Sequence, residues 1–102
     1  MAQHRVAAVN DVPPGSGKEV IVEGRVVALF NVAGTFYALD GVCPHAGGPL
    51  GEGMLAGSVV TCPWHGWQFD VTTGTHCLTE SIQHPTFPVR VEGDDVYVEI
   101  PE

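Results

Sequence analysis

Four side chains in this sequence could bind metal, and they come in two similar pairs. Cys43 and His45 lie in "CPH", and Cys62 and His65 lie in "CPWH" sixteen residues further on. Each pair is a thiol and an imidazole one or two residues apart, so each forms a hook that one tight loop can present. Pro44 and Pro63 fix φ for the residue after each cysteine and stiffen both loops. Gly47, Gly48 and Gly66 allow backbone to approach a bound group closely. Two thiolates and two imidazoles suit a zinc ion, or a two-iron cluster in which imidazoles replace thiolates on one iron. Zinc motifs usually pair like with like, two cysteines in one hook and two histidines in the other. Here each hook carries one of each. A binuclear cluster has a use for that order, because each loop can give its cysteine to one iron and its histidine to the other.

Such loops need a scaffold, and the rest of the chain reads as short strands. The 102 residues fit one domain with a thin core. Thirteen glycines and eight prolines argue against long helices. "HRVAAV" (4–9), "KEVIVEG" (18–24), "RVVALFNVAG" (25–34) and "TFYALDG" (35–41) are rich in strand formers, with tight turns at Glu23-Gly24 and Ala33-Gly34. "GSVVTC" (57–62) leads into the second hook and "WQFDV" (67–71) leads out. "FPVRVEGDDVYVEI" forms a C-terminal hairpin, with Val89 and Val91 in one arm, Val96, Val98 and Ile100 in the other, and a turn at "EGDD". No window repeats an apolar face at helical spacing. The expected architecture is an all-β sandwich or small barrel of about eight to ten strands. Four basic against twelve acidic residues give a net charge of -8, which repels nucleic acid and anionic membranes and suits a partner with a basic patch. The sequence shows no signal peptide and no apolar run of membrane-spanning length. Three cysteines cannot complete a disulfide framework, so the expected compartment is a reducing cytoplasm with thiols free for metal.

The ordered pattern Cys43-Pro-His45, sixteen residues, Cys62-Pro-Trp-His65-Gly-Trp resembles the Rieske [2Fe–2S] motif, C-x-H followed by C-x-x-H. "HAGGPLGEG" is similar to that family's first cluster loop, and "WQFDVTTG" to the strand and turn after its second. "PTFPVRVEGDDVYVEI" is similar to its proline-containing third loop and final hairpin. The resemblance covers residues 25–100. It implies a single Rieske domain over 1–102: an antiparallel β-sandwich of small barrels, with a cluster-binding subdomain of two ligand loops inserted at about 41–72. It also implies a Rieske-type [2Fe–2S] cluster held by Cys43, His45, Cys62 and His65.

Respiratory-complex Rieske proteins carry two further cysteines, which join the cluster loops by a disulfide. The matching positions here are Gly48 and Trp64, so the resemblance implies loops held by packing instead. Those high-potential relatives also place hydroxyl donors two and four residues after the second histidine, where this chain has Trp67 and Phe69. Losing a hydrogen bond to a cluster sulfur disfavours the extra negative charge of the reduced state. A redox titration is therefore expected to give a midpoint near the low end of the Rieske range, roughly -150 mV rather than +300 mV. Two ferric ions, two sulfides and two thiolates sum to zero with neutral imidazoles, so the resemblance implies a one-electron carrier. The chain has no nucleotide-binding glycine motif and no room for an oxygenase substrate domain. It is similar to soluble ferredoxins of bacterial aromatic-ring dioxygenase systems, which implies a flavoprotein reductase and a terminal oxygenase as partners, and a monomeric, non-enzymatic shuttle. His45, His65, Pro44, Ala46, Gly47, Trp64 and Trp67 would form its transfer face. The alternatives are a small subunit of a reductase such as nitrite reductase, and a zinc-stabilised binding module without redox function.

Several other residues have plainer readings. His4 reads as a surface residue on an edge strand, and His76 and His84 as exposed loop residues. Cys77, unpaired in sequence, reads as a small buried hydrophobe. Trp64 and Trp67 read as packing around the site. Pro85 and Pro88 shape the third loop, and Glu52 and Glu80 read as solvated charges.

Overall fold

The runs of β-branched and aromatic residues form strands, and the tight turns between them set their order. In a computed structural model, the residues described are 2–42, 48–64, 66–77 and 82–100. They form eleven strands: β1 (Ala2–Ala8), β2 (Ser16–Val22), β3 (Arg25–Val32), β4 (Thr35–Asp40), β5 (Met54–Ala56), β6 (Val59–Thr61), β7 (Gln68–Asp70), β8 (Thr75–His76), β9 (Thr86–Phe87), β10 (Val89–Glu92) and β11 (Asp95–Ile100). Helical geometry among the described residues is limited to two single 3₁₀ turns, Val9–Asp11 and Leu50–Glu52.

The strands make three antiparallel sheets, ordered β1-β11-β10, β2-β3-β4-β9 and β5-β6-β7-β8. Two-residue turns at Glu23-Gly24 and Ala33-Gly34 join β2, β3 and β4, and both residues of each turn have positive φ. That backbone matches the right-handed twist of hairpin strands. The C-terminal hairpin closes through Gly93-Asp94, with Glu92 opposite Asp95.

The second sheet is the middle layer, because β3 is buried on both faces. Val27 and Leu29 join one core with Val20, Val22, Phe36, Ala38, Val96, Val98 and Ile100. Ala28 and Phe30, on the opposite face, join a second core with Leu39, Leu50, Val60, Cys62, Phe69 and Val71. Strands buried on two faces carry near-continuous apolar runs, as "VVALF" does here. The first core fixes the β-sandwich. The second fastens the small third sheet, which carries the second hook, onto the scaffold.

A buried polar residue ties the first core to a loop. Asn31 Nδ2 donates to the Val12 carbonyl at 2.7 Å, and its Oδ1 accepts from Gly34 N–H at 2.8 Å. Asn31→Ala leaves both backbone groups without these partners. It is expected to cost about 1–3 kcal/mol in urea unfolding, with an unchanged slope.

The structure differs from the sequence reading at particular residues. β5, β8 and β9 were not foreseen, since three-residue and two-residue strands carry too little alternation to register. Val91 is 47% exposed because β10 is an edge strand whose outer half lies beyond the core. Cys77 is exposed rather than buried. His76 and His84 are buried rather than exposed, at 6% and 5%. His4 lies on edge strand β1, half-buried, with Nδ1 3.8 Å from Glu23.

Candidate metal centre

Each hook emerges from a closed root. β4 ends at Asp40, whose Oδ1 accepts from the Val42 N–H at 3.0 Å. Gly41 N–H donates to the Val26 carbonyl, Leu50 N–H donates to the Gly41 carbonyl, and Val42 bridges Pro49. The loop between 42 and 49 thus leaves and rejoins the sheet at one place. The second hook lies in the β6–β7 hairpin. Thr61 pairs with Gln68, and Cys62 N–H donates to the Trp67 carbonyl at 2.7 Å. Gly66 N–H closes the loop onto the Cys62 carbonyl at 3.1 Å.

Of the four expected ligands, Cys62 lies within the described residues. It is 1% exposed and belongs to the second core. Cys43, His45 and His65 fall outside them, as do Pro44, Ala46, Gly47 and Glu80. The end of the first loop nevertheless meets the second loop at Gly48. An ideal Cβ on Gly48 would lie 2.8 Å from Trp64 Cγ and 3.1 Å from Cys62 Sγ. Only glycine lets the first loop settle this closely onto the second. Cys62 Sγ therefore faces backbone of the other loop, as a ligand shared between two loops must.

Gly48 and Trp64 are the pair expected to stand where a disulfide would, and they are in contact, so packing joins the loops there. Trp64 rests its inner edge on Gly48 but is 58% exposed, so it shields less than expected. Trp67 is packed, with its ring centroid 4.7 Å from His76 and 6.4 Å from Phe69. Phe69 is fully buried, and neither ring offers a hydroxyl. Sequence reasoning missed the aromatic cluster below the hooks. Its one clue was that His76 and His84 flank a segment that follows the second hook.

A buried cysteine thiol against a backbone that leaves no room for a side chain fits a soft-metal site between two loops. The Rieske [2Fe-2S] domain model matches residues 2–92, spanning both hooks and ten of the eleven strands described. The chain belongs to the Rieske [2Fe–2S] family. Its cofactor is a Rieske-type [2Fe–2S] cluster, and the three antiparallel sheets are those of Rieske ferredoxins. One Rieske relative is the ferredoxin component of the naphthalene 1,2-dioxygenase system of Pseudomonas aeruginosa, 36% identical over 91% of this chain and 90% of that protein. Another is the 3-phenylpropionate/cinnamic acid dioxygenase ferredoxin subunit of Shigella boydii serotype 4 (strain Sb227), 40% identical over 92% of this chain and 90% of that protein. Among solved structures, a chain from the complex of reduced oxygenase and oxidized ferredoxin in carbazole 1,9a-dioxygenase superposes with a TM-score of 0.86. It is 35% identical, and the match covers 94% of this chain and 91% of that one.

The charge around this Rieske domain is one-sided. Arg5 donates to Asp95 at 2.9 Å, and this hydrogen bond raises the guanidinium above its ordinary pKa. Arg90 pairs with Glu92 at 2.8 Å and lies over Tyr97, and Arg25 lies over Phe87. Three of the four cationic side chains are thus engaged within the chain, while carboxylates such as Glu52 stay exposed.

Proposed function

We propose that the protein is a one-electron carrier, a soluble Rieske ferredoxin that takes electrons from a flavoprotein reductase and delivers them to a ring-hydroxylating terminal oxygenase. The observation that carries this reading is the close approach of Gly48, at the end of the first loop, to Cys62 and Trp64 of the second, in a chain whose ferredoxin relatives match it along nine-tenths of its length. Cys43, His45, Cys62 and His65 hold the cluster, within a loop subdomain at about 41–72 of a single domain. When bound, the cluster supplies reversible one-electron storage. The chain's own residues do the rest. The closed loop roots hold the ligands still, which keeps reorganisation small. Phe30, Leu39, Val60 and Phe69 exclude water from below, and the exposed rim at Trp64 lies open to a partner.

The acidic surface suits a basic docking patch on the oxygenase or reductase, and such complementarity speeds encounter. No helix among the described residues is long and apolar enough to cross a membrane. A cytoplasmic monomer fits free thiols and a shuttling role. The likeness to a solved structure named for a nitrite reductase small subunit is one of fold alone, at 23% identity, whereas the relatives at 36% and 40% identity are dioxygenase ferredoxins.

The test is a visible absorption and EPR spectrum of the purified protein, oxidised and dithionite-reduced, with iron and zinc counted. Two irons per chain and a rhombic signal on reduction are expected. Turnover of an aromatic substrate by a reductase and oxygenase pair, dependent on this protein, then establishes the carrier role. A colourless protein with one zinc overturns it.

A further inference from the structure

His84 is the buried side chain that touches the roots of both hooks. Its Nε2 lies 2.6 Å from the Asp40 carbonyl oxygen. A carbonyl only accepts, so Nε2 carries the hydrogen and donates it. Asp40 N–H donates in turn to the Pro85 carbonyl at 2.9 Å. The pair His84-Pro85 therefore grips both sides of the residue three positions before Cys43. On the other side, the His84 ring sits 5.3 Å from the Phe69 ring, on the strand that leads out of the second hook. The backbone N–H of His84 donates to the Gly74 carbonyl at 2.7 Å. A Cβ on Gly74 would run into the His84 carbonyl, and Gly74 has a φ of +78°, so the β7–β8 turn is shaped to admit this segment.

The first hook grows from the middle sheet and the second from the third sheet. Their relative position is thus set by whatever binds the two sheets next to the hooks. His84 does so with a side-chain hydrogen bond to the first root, a ring contact to β7 behind the second hook, and a backbone bond to the β7–β8 turn. We propose that His84 is a positioning residue that holds the two ligand loops in register, and that it thereby sets the electronic geometry and retention of the group they share. This inference rests on the reading of the hooks as cluster loops. Groups that orient metal ligands through a hydrogen bond typically change affinity or activity when removed.

The test compares holoprotein carrying His84→Phe, which keeps a ring but loses the N–H, with His84→Gln, which keeps an N–H donor near the Nε2 position. The readouts are the reduced-state g-values, the midpoint potential and the rate of iron release to a ferrous chelator. His84→Phe is expected to shift the g-values and midpoint and to release iron about 10-fold faster or more. His84→Gln is expected to return all three toward wild type, whatever either change does to thermal stability. If His84→Phe does not fold, His84→Asn, too short to reach the Asp40 carbonyl, takes its place with the same expected outcomes. A variant without the N–H that matches wild type in all three readouts overturns the inference. Wild-type protein lacking the reduced Rieske signal overturns the reading of the hooks instead.

Discussion

Protein carrying Cys62→Ala should purify without colour, with iron near zero and no EPR signal after reduction. The thiolate is the donor a soft metal site needs, and Cys77, the other free cysteine among the described residues, is exposed just past β8 and is not one of the expected ligands. Cys62 is 1% exposed, so water is poorly placed to substitute as a ligand. Loss of electron delivery should exceed the roughly 10–100-fold typical when only an outer-shell partner is removed. Iron analysis and reduced-state EPR on the same sample check it. Full iron content in Cys62→Ala would remove this residue from the ligand set. Because the side chain also belongs to the second core, the variant should lose some stability, and circular dichroism separates that from loss of the metal.

Phe69→Ala should be the most destabilising single core change next to the site. The ring is fully buried. It meets His76 edge-on at 5.2 Å, His84 at 5.3 Å and Trp67 at 6.4 Å, and packs into the core that fastens the third sheet. Truncating a buried phenylalanine costs roughly 3–5 kcal/mol from lost burial and the cavity left behind. That is a large share of the roughly 5–15 kcal/mol that holds a typical domain folded. Thermal unfolding of the holoprotein should show a fall in midpoint of roughly 15–30 °C. Ile21→Ala, at a 64% exposed position, is the control and should change stability by less than about 0.5 kcal/mol. Equal midpoints for the two variants would mean that the third sheet does not depend on this core.

The ligand pattern and the strand scaffold were legible because both are local. A Cys-x-His hook is read within three residues, and "KEVIVEG" and "RVVALFNVAG" declare their strands by β-branched content and a Gly turn. The alternation in "TFYALDG" was also readable, although not that both faces of the strand would be covered. What could not be read depends on contacts distant in sequence. His84 lies 44 residues from Asp40, and nothing near it signals that its ring is enclosed. Cys77 reads as a buried hydrophobe by residue type. Its place just past β8 turns it outward, while His76, one residue earlier, points inward as strand alternation requires. Gly48 reads as a point of close backbone approach to a bound group, and the structure adds that it is also where the first loop closes onto Trp64 and Cys62 of the second.

The contact of Gly48 with Trp64 has a consequence for how the protein matures. A covalent link between the loops would need an oxidant and would answer to the thiol–disulfide balance of its surroundings. A ring resting on a glycine answers to neither. Packing of this kind needs no oxidant to form, so joining the loops at this point is compatible with the reducing conditions that keep Cys62 a free thiol.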